Sequence, residues 1–204
     1  STLWQDTSGS ISATTTVARW DDKSGNDDHL TQGTPAEEPS IGASLGGNNT
    51  VDFNADSLYV STLTSLGTGA QPIQIVAVMA SDAFNANNYQ YYGYYCDAVS
   101  GGKVFSASTE DNSSNNNITG RHWNGAIAST STQTAGQAFI SSHSIDATGE
   151  YDTTEFHING NYYSSSSDTE ELNFSGTGAV LRIGGISASN LDGRIAEFLF
   201  FDRV

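Results

Sequence analysis

Cysteine and basic residues are scarce in this chain. Cys96 is the only cysteine among 204 residues, so no internal disulfide can form and the fold must be held by its core or by metals. Seven basic residues stand against 23 acidic ones, which gives a formal net charge of −16. Such a surface repels phosphate groups, and no basic patch or basic helix interrupts it. Nucleic acid and anionic membranes are therefore excluded as partners.

Long apolar runs are also missing. No segment is long enough to span a bilayer, and the amino-terminal residues do not have the pattern of a signal peptide. We interpret the chain, which begins abruptly at Ser1, as a monomeric module cut from a longer protein whose secretion signal lies elsewhere. No internal repeat or linker divides it, and its length suits one core, so residues 1–204 are expected to form a single domain.

The apolar residues that are present recur at period two, the pattern of strands with one buried face. In the segment 73–79 the side chains on both faces are largely apolar, which suggests a central strand covered on both sides. Asn159-Gly160 is a strong hairpin signal because both residues tolerate positive φ. The segment Thr109 to Thr119 is too polar for a core and is expected to be a long loop. Many short strands without helices predict an all-β protein, either a two-sheet sandwich or a barrel.

Several segments together resemble one family. They are Leu3–Asp6, Val17–Asn26, Val51–Asn54, Leu58–Val60, Ile183–Gly185, Gly193–Phe198 and Phe201–Arg203. The chain resembles the laminin-G-like domains of the concanavalin A-like lectin and glucanase superfamily, which implies a jelly-roll sandwich of two antiparallel sheets. Its acidity, single cysteine and low lysine content are similar to the ligand-binding modules of large bacterial RTX adhesins. That resemblance implies a location on the bacterial cell surface and calcium-dependent binding of an extracellular peptide or protein through its C-terminal carboxylate.

Two polar segments are candidate calcium sites. Asp22–Asp28 places oxygen side chains at every second position, a spacing that lets one loop wrap Ca²⁺. The same residues also suit a structural turn in which Asp22 bonds its own backbone. The segment Asp111–Asn117 repeats the pattern, with a mobile polar loop as the alternative, and we expect Asp97 to join Asp111 in a rim site. The predicted metal ligands are Asp22, Asp28, Asp97, Asp111 and Asn112.

A tyrosine run, Tyr89–Tyr95, and the following Arg121–Trp123 are candidate ligand contacts. Tyrosine presents a flat ring with a polar tip, which suits sugar stacking or a peptide side chain, although tyrosines also simply cover sheets. An arginine can bind a ligand carboxylate with two parallel hydrogen bonds. The predicted ligand-binding residues are Tyr94, Tyr95, Arg121, His122 and Trp123.

No catalytic pattern is visible in the sequence. Paired carboxylates at the spacing used by the glucanases of this fold are missing, a Gly-x-Ser-x-Gly elbow is absent, and Glu197 is expected to be structural. The sequence therefore predicts a binding module and not an enzyme. A carbohydrate-binding module is the first alternative to the peptide-binding adhesin domain, and a structural spacer in a surface fibre is the second.

Overall fold

The computed structural model describes residues 3–5, 7–10, 12–60, 63, 72–84, 89–97, 103–111, 116–122, 125–128, 133–146, 154–163, 180–186 and 189–202. These residues form eighteen strands and one 3₁₀ turn, Pro35–Glu37. In chain order the strands are β1 (Leu3–Trp4), β2 (Arg19–Trp20), β3 (Leu30–Thr31), β4 (Ser40–Leu45), β5 (Asn48–Asn54), β6 (Leu58–Val60), β7 (Ile73–Ser81), β8 (Tyr89–Asp97), β9 (Lys103–Asp111), β10 (Asn116–His122), β11 (Gly125–Ala128), β12 (Phe139–Ile145), β13 (Glu155–Ile158), β14 (Asn161–Tyr163), β15 (Val180–Ile183), β16 (Gly185–Ile186), β17 (Ser189–Asn190) and β18 (Asp192–Phe201).

The strands build two large antiparallel sheets. The first has nine strands in the order β1-β2-β3-β6-β15-β8-β9-β10-β11, and the second has seven in the order β14-β13-β12-β7-β18-β5-β4. A small ribbon of β16 and β17 lies beside them. The crossings between distant strands, such as β6 with β15, belong to a jelly roll and not to a simple meander. The predicted all-β, two-sheet antiparallel jelly-roll sandwich is confirmed.

The core lies between the two sheets and is rich in phenylalanine. Phe105 of β9 stacks on the ring of His143 of β12, with ring centroids 3.8 Å apart, so the inner faces of the two sheets meet at this point. Gly120 of β10 faces Phe156 of β13, and a Cβ added at Gly120 would stand 2.8 Å from the Phe156 ring. A glycine at position 120 therefore lets the Phe156 ring pack directly against the backbone of β10.

Strand β7 shows what the period-two pattern predicts well and what it does not. Its inward residues Ile73, Ile75, Ala77 and Met79 are fully buried, and the strand is central in its sheet, between β12 and β18. Val76 and Val78 on the other face are only partly buried. The outer face is therefore covered only in part, because Ala80, further along that face, is fully buried in a small apolar cluster against which Val78 packs.

The hairpin at Asn159-Gly160 is confirmed. Asn159 has φ of 50° and Gly160 has φ of 79°, and the turn joins β13 to β14. Positive φ at both central residues is the geometry of a type I′ turn, whose twist matches that of the flanking strands.

The expected long loop from Thr109 to Thr119 is wrong. β9 continues to Asp111 and β10 begins at Asn116, and the two strands pair directly in register from Asp111 and Asn116 onward. Ile118 is fully buried and anchors the hairpin in the core. Polar residues are tolerated here because backbone pairing supplies the hydrogen bonds and only alternate side chains need to be apolar.

Candidate functional site

The loop Asp22–Asp28 is closed by hydrogen bonds to the carboxylate of Asp22. Ser24 donates its backbone N–H to Asp22 Oδ1 at 2.8 Å and its hydroxyl to Oδ2 at 2.6 Å, and the backbone N–H of Asp28 donates to Oδ2 at 3.3 Å. Burial raises the pKa of Asp22, but these hydrogen bonds outweigh it and hold the pKa below its usual value of 3.8. The geometry is that of a structural turn, in which both carboxylate oxygens accept hydrogen bonds from the loop itself.

The neighbouring Asp21 ties the same loop to the sheet. It accepts a hydrogen bond from the Trp4 indole at 2.7 Å and one from Arg19 Nε at 2.8 Å. Burial raises the pKa of Asp21, while the bonds from Trp4 and Arg19 and the charges of Arg19 and His29 lower it by more, so the pKa lies below 3.8. Asp21 is therefore a structural anion whose charge is balanced within the loop.

The predicted metal ligands do not converge. Asp97 pairs with Lys103 at the start of β9, whereas Asp111 ends β9, about 26 Å away at the usual rise per residue. The expected rim site that joins Asp97 to Asp111 is therefore wrong, because antiparallel pairing sends the two residues to opposite ends of β9. β2 and β8 run in the same direction, so the Asp22–Asp28 loop lies at the same end as Asp97, but four strand spacings, about 19 Å, separate them.

Other parts of the expected calcium site stay untested. Asn112 lies outside the described residues. Across the described ranges no group of three or more His, Cys, Asp or Glu side chains is placed to hold a metal ion. The same ranges contain no helix that is long and apolar enough to cross a membrane.

The predicted ligand residues fall into different cross-strand rows of the nine-stranded sheet. Tyr94 pairs with Leu181 and Phe105, and Phe105 pairs with His122. Leu181 and Phe105 of this row are buried core residues, whereas the side chains of Tyr94 and His122 are not described, so their role as ligand contacts stays a prediction.

The remaining three predicted ligand residues do not join that row. Tyr95 pairs with Val104 and Val180 in the next row along β8. Arg121 pairs with Ser106, one residue away from the Phe105 row on the other side. Trp123 lies outside the described residues. The strand register spreads four of the five predicted residues over three neighbouring rows, and the ligand site that they were predicted to form stays a prediction.

The row that contains Arg121 crosses the whole nine-stranded sheet, and sequence reasoning missed it. Five of its members, Arg19, Thr31, Tyr59, Arg182 and Ser106, alternate along their strands with buried residues, so this part of the row lies on the face of the sheet turned away from the seven-stranded sheet. We call it the arginine row, since it holds three of the five arginines of the chain. From edge to edge its members are Trp4, Arg19, Thr31, Tyr59, Arg182, Gly93, Ser106, Arg121 and Ala126.

Arg182 in the middle of this row differs from the other two arginines whose contacts the structure describes. Arg19 is paired with Asp21 at 2.8 Å, and Arg194 holds Asp82 with two bonds of 2.7 and 3.2 Å. Arg182 instead places its guanidinium carbon 5.4 Å from the centre of the Tyr59 ring. Its Nε is shielded from solvent and has no hydrogen-bond partner among the described residues.

Two further members of the row adjoin Arg182. Gly93 is its partner on β8, and Ser106 is the next residue across, on β9. The Ser106 hydroxyl is fully buried, and within the described part of the chain it has no hydrogen-bond partner. The centre of the row thus holds two polar atoms, Arg182 Nε and the Ser106 hydroxyl, that are shielded from solvent and have no hydrogen-bond partner among the described residues.

Four carboxylates at the rim of the seven-stranded sheet form a second charged region. Burial and the charge of Asp82 raise the pKa of Asp52 above 3.8, and Arg194 offsets this only in part. Burial also raises the pKa of Asp56, more than a hydrogen bond from the Asn54 backbone lowers it. Asp192 adds to the repulsion. The region stores like-charge repulsion that Arg194 partly relieves.

No family model matches the chain, and no curated protein matches it. Solved structures do share its fold. An E221Q mutant of a GH54 α-L-arabinofuranosidase soaked with 4-nitrophenyl α-L-arabinofuranoside aligns with a TM-score of 0.65 and 15% identity, over 94% of this chain and 49% of that one. A Trypanosoma rangeli sialidase in complex with 2,3-difluorosialic acid aligns with a TM-score of 0.59 and 10% identity, over 81% of this chain and 27% of that one.

A pentraxin also shares the fold. The heptameric SAP-like pentraxin of Limulus polyphemus aligns with a TM-score of 0.53 and 10% identity, over 79% of each chain. The chain spans about half the length of the arabinofuranosidase and about a quarter of the sialidase. At these identities the likeness establishes the β-sandwich fold and carries over no activity.

Proposed function

We propose that this domain is a non-catalytic ligand-binding module of an extracellular protein, of the kind carried by bacterial surface adhesins, and that it binds a peptide or protein on another cell. The observation that supports this most is the arginine row, and above all Arg182. In a chain of net charge −16, carboxylates are abundant, yet the described structure gives Arg182 an aromatic ring and not a carboxylate. Arg182 Nε is shielded from solvent, so an external acceptor would have to be bound by the terminal N–H groups of the guanidinium.

The absence of an enzymatic role is part of the proposal. A retaining glycosidase needs two carboxylates about 5–5.5 Å apart, one of them a general acid beside the bond to be cleaved. On the arginine row no described member carries a carboxylate. Glu197, which the sequence suggested as structural, is exposed on the outer face of the other sheet. The glycosidases that share the fold do so at 10–15% identity, and their activity is not carried over to this chain.

A carbohydrate-binding module is the second candidate. The supporting observation is the likeness to an arabinofuranosidase and a sialidase whose structures hold sugar-derived ligands, together with the half-buried Tyr59 on the outer sheet face. Tyrosine rings on such faces suit sugar stacking. Against this, the described face of the Tyr59 ring is already used by Arg182.

The expected calcium requirement also remains a proposal. The described carboxylates of the Asp22–Asp28 loop accept hydrogen bonds from that loop, which favours a structural turn. The carboxylate of Asp22 has about four lone-pair sites, so these hydrogen bonds leave room for a cation, and the calcium requirement is to be tested directly.

Screening the purified domain against a peptide library and a glycan array, each with and without Ca²⁺, tests the proposal. We expect binding to extracellular peptides. Binding only to glycans, competed by free sugars, would replace the first candidate by the second. No binding on either array would support the structural spacer and would refute both binding proposals.

A further inference from the structure

The seven-stranded sheet carries every large apolar side chain that is exposed among the described residues. These four side chains are between 38% and 56% exposed, and we call them the apolar patch: Ile140, Tyr162, Leu199 and Phe201. We propose that the apolar patch binds an extended peptide segment of a partner protein, with apolar side chains in the middle and a basic residue at each end. The proposal rests on the proposed binding function and adds to it a second surface and the charge pattern of the partner.

The strand register gathers the patch on the outer face of its sheet. One cross-strand row runs from β14 to β18, and its members are Tyr162, His157, Ser142, Val76 and Leu199. The β7 member of this row alternates with fully buried residues, so the row lies on the face turned away from the nine-stranded sheet. Ile140 and Phe201 stand two residues from members of the row, on β12 and β18, and therefore face the same way. Contiguous exposed apolar surface of this kind marks interaction sites.

A shallow hollow of about 330 Å³ lies on this face. Its lining residues are Gln74, Ile140, Ser142, His157 and Gly160. Gln74 Nε2 donates to the Ser142 hydroxyl at 3.3 Å, so these two polar groups of the lining are partnered with each other. The ring of Tyr162 lies against the His157 imidazole, with ring centroids 5.3 Å apart, at the rim of the hollow. The hollow therefore offers a place for an apolar side chain of a ligand, beside an exposed aromatic ring.

Acidic side chains stand at two opposite corners of the patch. Glu155 of β13 shares a cross-strand row with Gln74, and its side chain is 59% exposed. Glu197 of β18 is also exposed and pairs with Val78. His157 Nε2 lies 3.5 Å from a carboxylate oxygen of Glu155 but carries a positive charge only when it is protonated. The two carboxylates can therefore receive cationic groups of a partner on either side of the apolar centre.

The basic residues of the chain lie away from this patch. Five of the seven belong to the nine-stranded sheet or to the loop after β2, and Arg203 lies outside the described residues. Arg194 of β18 is held by Asp82 with two bonds of 2.7 and 3.2 Å. A net charge of −16 attracts a cationic segment, and the same charge opposes the docking of two copies of this domain face to face. Charge complementarity therefore favours a basic partner over a second copy.

The positions of the two glutamates set the spacing of the partner's basic residues. Glu155 and Glu197 lie three strand spacings apart, about 14 Å, and four residues apart along β7, about 13 Å, so about 20 Å separates them across the face. An extended peptide rises about 3.3 Å per residue, so basic residues six positions apart span this distance. Alternate residues of such a peptide share one face. The predicted pattern is therefore Lys-x-Leu-x-Leu-x-Lys, with Arg or another large apolar residue as equivalents.

Peptides of defined spacing test the proposal by NMR titration of the ¹⁵N-labelled domain. The probe is Lys-Ser-Leu-Ser-Leu-Ser-Lys with both ends blocked, so that its termini carry no charge. We expect its amide shift changes on β7, β12, β13 and β18. Moving the second lysine by one position turns it to the other face of the peptide and should weaken binding about threefold, as for the loss of an exposed ion pair. Replacing both lysines with glutamate should weaken binding about tenfold or more.

Variants of the domain assign the effect to its side chains. Glu155→Gln and Glu197→Gln should each weaken binding of the lysine peptide about threefold, and together about tenfold. Asp27→Asn is the matched control, because it removes one charge from a side chain that is 91% exposed in the loop after β2, and it should leave the affinity unchanged. Ile140→Thr removes an apolar wall of the hollow but keeps a β-branched residue in β12, and it should weaken binding several-fold with an unchanged unfolding transition.

The outcomes separate the docking surface from the function beneath it. Shift changes confined to the nine-stranded sheet, equal affinity for both lysine spacings, or full affinity of the doubly substituted glutamate variant would overturn the docking surface and leave peptide binding standing. Shift changes on this face with a neutral oligosaccharide alone, or with rising protein concentration alone, would assign it to a glycan or to a second copy and overturn the proposal. If neither these peptides nor any member of the peptide library binds, the docking surface and the proposed function fall together.

Discussion

The carboxylate of Asp22 offers the clearest test of what the acidic loop does. Replacing Asp22 with Ala removes the acceptor of three hydrogen bonds, from the Ser24 backbone, the Ser24 hydroxyl and the Asp28 backbone. Hydrogen bonds to charged groups contribute up to about 1.5–3 kcal/mol each when buried, but this loop is largely exposed to solvent, and we expect a total loss of about 1–3 kcal/mol. For a chain of this size that corresponds to a fall in Tm of roughly 3–10 °C.

Thermal unfolding followed by circular dichroism, with Ca²⁺ and with EDTA, separates the two roles of the loop. A structural turn predicts that the Asp22→Ala loss is the same in both solutions. A calcium site predicts that EDTA lowers the Tm of the wild-type domain and that Asp22→Ala abolishes this difference. Asp22→Asn is the conservative comparison, since its side-chain oxygen still accepts from the Ser24 N–H while its amide cannot accept from the hydroxyl.

The pH dependence supplies an independent check on the same residue. Because the folded-state pKa of Asp22 lies below 3.8, its ionised form stabilises the fold above that value. The stability difference between wild type and Asp22→Ala should therefore be fully present at neutral pH and shrink as the pH falls below 3.8 through the folded-state pKa. A difference that is unchanged at low pH, or a variant as stable as wild type at neutral pH, would refute the turn reasoning.

Two other predictions concern the sandwich itself. Asp52→Asn should raise the Tm at pH 7 by about 1–3 °C, because burial and the charge of Asp82 raise the pKa of Asp52 and so disfavour its ionised form in the folded state. The gain should vanish below pH 3.8, where the carboxyl is protonated in both the folded and the unfolded state. A lower Tm of the variant at pH 7 would contradict this prediction. Gly120→Ala should destabilise the domain by about 1–3 kcal/mol in urea unfolding, because the new Cβ would press on Phe156, whereas Gly33→Ala, where an added Cβ meets nothing, is the matched control that should stay near wild type.

The sequence predicts the fold correctly where apolar residues alternate along one face of a strand or where a turn has a specific residue pair. The inward residues of β7 and the Asn159-Gly160 turn gave correct predictions because side-chain alternation and positive φ are local properties. The hairpin of β9 and β10 was missed because its residues are mostly polar. Its buried apolar residues, Phe105, Ala107 and Ile118, stand among polar ones and give a weak signal, and they reach the core by packing on the other sheet, as Phe105 does on His143.

The candidate site was harder to predict for the same reason. Which residues share a row depends on register, and register in a jelly roll is set by strands far apart in the chain, such as β6, β15 and β8. Arg121 was singled out from its neighbours in sequence, whereas Arg182 and Tyr59, 123 positions apart, meet only through that register. For Asp97 and Asp111 the error was the opposite one. Their closeness in sequence suggested a shared site, but antiparallel pairing places them at opposite ends of β9.

The few basic residues of the chain differ in what they contact. With 23 acidic residues against seven basic ones, an arginine that finds a carboxylate within the fold is expected, and Arg19 and Arg194 both do. Arg182 packs on a tyrosine ring instead, so among the described residues its terminal N–H groups are not paired with a carboxylate. Arg182 can stay away from the chain's own carboxylates only if its strand is held in place, and β15 lies in the middle of the nine-stranded sheet. An exposed acidic loop at the rim has no such support. The outer sheet face is for this reason a stronger candidate for ligand binding than the acidic loops to which the sequence first pointed.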